Sequence, residues 1–307
     1  MGGSSMRARS TWLLALLVAW LLGLGLGLGP ALAAERIILE TKSPFNTIVV
    51  SEDDEGLRIL RFARFGARQS VVKLGDPDHL ELPYARVMIP IGFLFVDEPR
   101  SALVIGLGGG TIPSFLRKRF PQMRIDVVDI DPGVVDVAKS HFGFREDERM
   151  RAHVEDGRRF VEQARQRYDL VFLDGFGTDS VPPHLTTREF LTAVREIVTP
   201  RGAVIGNVWG RQVNRLYDSM IKTYRAVYDG LLVVDVIGSG NKIVIAMPDK
   251  RELPYYELVE RAQQISRKLA LRHSVAEVAE RNVREPGEDG VSGKLLTDAE
   301  VGAVLAR

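Results

Sequence analysis

The sequence predicts an α/β fold built on a mainly parallel central sheet, and three features predict it. Apolar strand-like runs alternate with helical stretches between residues 100 and 248. A glycine-rich turn, Gly106-Leu107-Gly108-Gly109-Gly110, follows the first of these runs directly. The last two runs are joined only by Gly238-Ser239-Gly240-Asn241, which is too short for a crossover.

The runs read as strands are Ala102–Gly106, Arg124–Val128, Arg151–Val154, Leu170–Leu173, Ala203–Asn207, Leu231–Val236 and Lys242–Ala246. Helices are expected at Ile112–Phe120, Val134–Phe142, Arg158–Arg167, Thr187–Val198 and Val213–Val227. Strands spaced by helices of this length form right-handed βαβ units. With the short final turn, the pattern is that of a Rossmann-like, class I methyltransferase-type sheet, mostly parallel with an antiparallel last strand. A small β-rich region precedes it. There Ile48–Ser51 and Leu57–Phe65 flank the acidic turn Glu52-Asp53-Asp54-Glu55-Gly56, which suggests a hairpin. Tyr84–Phe95 is continuously apolar and fits a helix. The expected organisation is therefore residues 1–33, a targeting segment; 34–98, β-rich; 99–250, the α/β domain; and 251–307, a helical tail with a loop around Pro286-Gly287-Glu288-Asp289-Gly290.

Composition narrows the function classes. Hydrophobic residues are 45% and charged residues 26%, as in an ordinary globular protein. The 41 basic and 40 acidic residues nearly cancel, so no bulk charge draws the chain to nucleic acid or a lipid surface. With no cysteine, disulfides, thiolate metal sites and cysteine nucleophiles are excluded. His79, His141, His153, His184 and His273 lack metal-ligand spacing, so packing or solvent roles are expected for them and no metal site.

The chemistry is expected at the carboxyl ends of the strands, where open α/β sheets bind ligands. Gly106, Gly108 and Gly110 let the backbone turn sharply and approach a ligand. Asp129 ends the next strand, about twenty residues on, where an acid accepts hydrogen bonds from ribose hydroxyls. Asp131, before Pro132, reads as a helix N-cap instead. Asp156 and Gly157 follow the third strand, within reach of an adenine amino group; an N-cap role for Asp156 fits equally well. Asp174 ends the fourth strand, after Leu170-Val171-Phe172-Leu173, and is placed as a general base for an amine. Trp209 reads as core, with stacking on a ligand as the other reading.

From about Ser43 to Val208 these residues sit in a recognisable series. It comprises Ser43-Pro44-Phe45-Asn46-Thr47-Ile48, Gln69-Ser70, Tyr84, the glycine loop, Asp129-Ile130-Asp131-Pro132, Asp156-Gly157, Asp174 and His184-Leu185-Thr186-Thr187-Arg188-Glu189-Phe190. The series resembles the polyamine aminopropyltransferase (spermidine synthase-like) family, and within it the bacterial branch with a Gly-Leu-Gly-Gly-Gly loop. That resemblance implies transfer of a 3-aminopropyl group from decarboxylated S-adenosylmethionine to an amine, releasing methylthioadenosine. The partners implied are a small-molecule nucleoside and an amine, with no nucleic acid, no prosthetic group and no metal; a homodimer stays open. By position, Asp129 would hold ribose, Asp156 adenine, and Asp174 the proton of the attacking amine. Tyr84 would orient the amine and Gln69 would line the cofactor or amine site. The chain departs from the family at three places. Gly109 stands where the family's loop carries an acid that contacts the aminopropyl group, so Gly109→Asp is expected to improve use of a diamine. Gly175-Phe176-Gly177-Thr178-Asp179 replaces the segment that bears a second acid, and Arg86 follows Tyr84-Ala85 where an acid is usual. Two other readings follow: a methyltransferase using intact S-adenosylmethionine, and a noncatalytic nucleoside binder. A base at Asp174 argues against the binder, and Gly109 argues for it.

The N-terminus reads as a secretory signal. Arg7 and Arg9 precede the apolar run Trp12–Leu28, and Pro30 and Ala31-Leu32-Ala33 form a small-residue exit. An uncleaved anchor is the rival, since the run is nearly long enough to span a bilayer. Either way the domain is expected outside the cytoplasm, exported or membrane-anchored. The mature chain is expected to begin near Ala34. N-terminal sequencing of protein from its native host tests this, and intact Trp12–Leu28 in a membrane fraction would show an anchor.

Overall fold

The computed structural model describes residues 35–175, 181–251 and 253–305. The expected targeting segment, 1–33, and the segment from Phe176 to Asp179 lie outside the described residues. Among the described residues no helix is long and apolar enough to cross a membrane.

Strands β1 (Arg36–Lys42), β2 (Thr47–Glu52), β3 (Leu57–Arg61) and β4 (Arg68–Lys73) form an antiparallel meander in sequence order. The expected hairpin is β2–β3, with Glu52 paired to Arg58. Its turn closes because the Asp53 carboxylate accepts the N–H groups of Glu55 and Leu57, at 3.1 and 2.8 Å. The second strand stops at Arg61, short of the expected Phe65. β4, which sequence reading did not foresee, pairs with it. Helix α1 (Pro83–Ile91) runs into a 3₁₀ turn at Gly92–Leu94, as the apolar run suggested. Proline at its start costs nothing there, because the first N–H groups have no helical partner.

The second sheet carries β5 (Ser101–Ile105), β6 (Arg124–Asp129), β7 (Met150–Val154), β8 (Tyr168–Leu173), β9 (Val198–Trp209), β10 (Gly230–Asp235), β11 (Asn241–Met247) and β12 (Val283–Arg284). Their order is β12-β10-β11-β9-β8-β5-β6-β7. β5 pairs in parallel with both β6 and β8, so the chain reverses direction across the sheet at β5. β11 lies between β9 and β10, antiparallel to both. β11, the last of the seven expected strands, is thus antiparallel as expected and inserts between its neighbours, and β12 adds an edge that sequence reading missed. Every residue of β5 is buried. Helices cover both faces, which explains why this strand is apolar throughout rather than alternating.

The covering helices are α2 (Thr111–Arg119), α3 (Pro132–His141), α4 (Gly157–Gln163), α5 (Arg188–Glu196) and α6 (Tyr217–Val227), with α7 (Tyr255–Lys268), α8 (Ala276–Arg281) and α9 (Asp298–Leu305) in the tail. α4 ends at Gln163 instead of Arg167, because Ala164 turns to ψ 127°. Gln166 is then free to donate to the buried Asp126 at 2.7 Å, which also accepts from Tyr168 at 2.9 Å. β9 absorbs Val198, which had been expected at the end of a helix.

Asp131 ties the meander to the larger sheet. It is 1% exposed. It caps α3 by accepting the Gly133 N–H at 2.9 Å, as expected from Asp131-Pro132. Its other oxygen accepts from the Ser43 hydroxyl and from the Asn46 amide, so one carboxylate satisfies three donors. Asp131→Ala is expected to lower unfolding free energy by about 2–4 kcal/mol, through loss of the cap and two charged hydrogen bonds. Urea denaturation checks this: the midpoint should fall with an unchanged slope.

Candidate active site

A cavity of about 700 Å³ opens at the carboxyl ends of β5, β6, β7, β8 and β9, bordered by the start of β4 and the start of α1. Of the residues singled out from sequence, Gln69, Tyr84, Gly106, Gly108, Asp129, Asp156, Gly157 and Asp174 all line it. Gly110 does not. It caps α2 in the left-handed conformation, φ +79°, and a Cβ there would meet the Phe144 side chain at 3.0 Å. Its role is the turn rather than the ligand wall.

Gly106 is the tightest point. Its φ is +98°, and a Cβ would stand 2.4 Å from the Asp174 carbonyl oxygen. The Asp174 N–H donates to the Ile105 carbonyl at 2.8 Å, and the Gly106 N–H to Val128 at 2.8 Å. Glycine thus lets the ends of β5 and β8 touch, which draws Asp174 beside the glycine loop.

The three strand-end acids are held differently. Asp129 accepts the Leu107 N–H at 2.8 Å on one oxygen and the Asp131 N–H at 2.9 Å on the other. Burial raises its pKa above the usual carboxylate value, and the backbone donors only partly offset this. Asp156 caps α4 by accepting the Arg159 N–H at 3.0 Å, and its second oxygen meets His184 Nε2 at 2.8 Å. Burial opposes its charge, but Arg159 and His184 outweigh that, and the pKa falls below the usual value. The N-cap reading of Asp156 is therefore realised, on the wall of the same cavity.

Asp174 is held by neutral donors. The Asn207 amide donates to one oxygen at 2.8 Å and the Tyr84 hydroxyl to the other at 3.2 Å. Asn207 is itself fixed by the Asn241 amide, which donates to its carbonyl oxygen at 2.9 Å. Burial pushes the Asp174 pKa up to about 7, while the bonds from Asn207 and Tyr84 pull it down. The Tyr84 phenol is driven well above its usual value by burial and by the carboxylate beside it.

Several cavity residues escaped the sequence reading. His184, assigned to packing or solvent, pairs with Asp156 on the cavity wall. Asn207 near the carboxyl end of β9 and Asn241 at the start of β11 meet because the two strands are antiparallel, and the signal was a polar residue at the end of an apolar strand. Trp209, read as core, also lines the cavity. Arg86 does not line it: its guanidinium donates to the Leu80 carbonyl and approaches Glu81 at 3.5 Å.

Comparison with known proteins agrees with this geometry. Residues 81–217 match the spermine/spermidine synthase domain model. The polyamine aminopropyltransferase of Vibrio vulnificus (strain CMCP6) is 34% identical over 224 residues, which cover 71% of this chain and 74% of that protein. This chain belongs to the polyamine aminopropyltransferase family. Membership places it among transferases of the aminopropyl and methyl kind. The fold also matches that of a probable spermidine synthase from Corynebacterium glutamicum ATCC 13032, with a TM-score of 0.69 and 18% identity over 85% of this chain and 96% of that one. Human methyltransferase-like protein 13, solved in complex with SAH, is 33% identical, with a TM-score of 0.53 over 62% of this chain and 90% of that one.

At the family's loop acid the chain departs for a steric reason. A Cβ on Gly109 would lie 2.8 Å from both the Phe142 ring and the Ser70 hydroxyl, and Gly109 is not on the cavity wall. A side chain at 109 needs the Phe142 ring and Ser70 to shift, which argues against an acid there improving use of a diamine. Gly109→Asp should instead destabilise the fold by about 1–3 kcal/mol by overpacking. Thermal denaturation beside the unchanged protein measures it, and a fully stable variant with a new preference for diamines would refute the steric account.

Proposed function

We propose that the chain alkylates an amine using an adenosyl sulfonium donor, with Asp174 as the base. The observation that carries this is a carboxylate on the cavity wall, held by Asn207 and Tyr84 and raised to a pKa of about 7. A base of that pKa is matched to deprotonating an amine near neutrality. In this reading Asp129 receives the ribose hydroxyls and the Asp156–His184 pair faces the adenine. The amine nitrogen attacks a carbon bonded to sulfur, and that bond's electrons return to sulfur as a neutral thioether. Asp174 takes the proton. The sulfonium is already an activated leaving group, so the protein's task is positioning and proton transfer.

Two group transfers fit this chemistry. Family membership supports aminopropyl transfer, which releases methylthioadenosine. The glycine forced at position 109 and the likeness to the human methyltransferase support methyl transfer, which releases S-adenosylhomocysteine. Chromatography of the nucleoside released on incubation with each donor and a panel of amines separates them. Release of neither product with any amine would leave a binding protein.

For Asp174→Asn, nucleoside binding should persist while the rate falls about 10²- to 10⁴-fold, the usual contribution of a general base. The pH profile carries the same signature. A pKa raised to about 7 means that the ionised base accumulates as pH rises through 7, so kcat/KM should climb across that range and level off above it. A profile flat from pH 5 to 9 would remove Asp174 from the role.

A further inference from the structure

Arg68 opens β4 and lines the cavity, its side chain exposed there. Among the described residues no carboxylate or other group pairs with its guanidinium. Its position in the cavity is set by its neighbours. The Gln69 carbonyl lies 3.4 Å from the Tyr84 hydroxyl that holds Asp174. Further along β4, the Ser70 hydroxyl meets Thr111 at 3.1 Å and borders Gly108. Arg68 therefore belongs to the β4 wall of the cavity, next to Gln69. A ligand whose ribose sits at Asp129 must run its sulfonium tail through that space to bring a reacting carbon to Asp174.

A second feature faces the same space. Thr111 and Ile112, the first residues of α2, line the cavity. This helix has no side-chain cap and no acidic residue in its first turn. Its leading N–H groups and the positive end of its dipole are thus available to an anion. The tail region offers a guanidinium and an open helix start. The position that would carry an acid for an aminopropyl ammonium is closed by Phe142 and Ser70. The complement of such a wall is a carboxylate.

We propose that Arg68 and the uncapped start of α2 form a carboxylate subsite for the donor's tail, making the donor S-adenosylmethionine itself rather than its decarboxylated form. This rests on the proposed adenosyl-donor reading of the cavity and adds the chemical identity of the tail. A guanidinium suits the task because its planar N–H pair matches both carboxylate oxygens.

Calorimetric titration of the full chain with S-adenosylmethionine, decarboxylated S-adenosylmethionine and methylthioadenosine tests it. Methylthioadenosine carries the adenosyl group with no amino-acid tail. The wild type should bind S-adenosylmethionine about 10- to 100-fold more tightly than the decarboxylated form, the scale of a charged hydrogen-bond pair. Arg68→Gln should remove that preference and leave methylthioadenosine binding unchanged. Arg68→Glu should reverse the order, because its carboxylate favours a tail that bears only an ammonium. Equal or tighter binding of the decarboxylated donor by the wild type overturns the subsite. An equal loss for all three ligands in Arg68→Gln overturns it as well, by marking Arg68 as structural. Failure of all three ligands to bind the wild type would instead overturn the adenosyl reading, and the subsite with it.

Discussion

The site depends on one contact between two backbones. At Gly106 the chain leaves β5 with φ +98°, so close to β8 that a side chain would overlap the Asp174 carbonyl. From this contact follow the sharp turn into the glycine loop, the start of α2 and the placement of Asp174 at the loop's edge. A larger residue at 106 would have to part the two central strands, whose middle residues are closely packed and buried. The geometry of the base is thus inherited from packing of the sheet, not from a flexible loop.

Bringing a carboxylate into that layer has a consequence for stability. Its folded-state pKa, about 7, lies above the ordinary 3.8. The protonated form is therefore favoured by folding. Its stabilising contribution is full below about pH 4 and is lost as pH rises through about 7. At neutrality the fold carries part of the cost of an ionised, buried acid. Asn207 and Tyr84 limit that cost without removing it, because a neutral donor stabilises a carboxylate less than a cation would. A cation in their place would lower the pKa and leave a weaker base.

Most of the fold was legible in the sequence because its signals are local. Apolar runs such as Leu170-Val171-Phe172-Leu173 announce buried parallel strands, and Asp131-Pro132 announces a helix start. Asp129, Asp156 and Asp174 were legible for the same reason: each ends such a run. What the sequence concealed is what only long-range pairing creates. β4 is a short strand whose ends are polar, and it becomes a strand by pairing with β3. Asn207 and Asn241 are 34 positions apart and become one hydrogen-bonded chain only when β11 inserts beside β9. His184 meets Asp156 across 28 positions, and although its segment belongs to the recognisable series, nothing along the chain tells which acid it faces. Gly109 misled for a related reason. Its place in the loop is visible in sequence, but the Phe142 ring that fills the space beside it is not.

The three strand-end acids show why position alone does not assign a role. All three lie at equivalent ends of the parallel strands β6, β7 and β8, and burial pushes each towards the neutral form. Their partners then separate them. Asp156 gains a helix N-terminus and an imidazole, which hold it ionised and unsuited to taking a proton. Asp129 spends both oxygens on loop N–H groups, so its first duty is to hold the turn at Leu107. Asp174 is left with an amide and a phenol, neither of them charged, and with its pKa raised to about 7 it is poised to change protonation near neutrality. In the proposed reaction, proton transfer thus falls to one of three similar acids because of the charge of what holds it. The same logic gives the neutrality of Asn207 a chemical meaning: a lysine in its place would hold the carboxylate more firmly and disable it as a base.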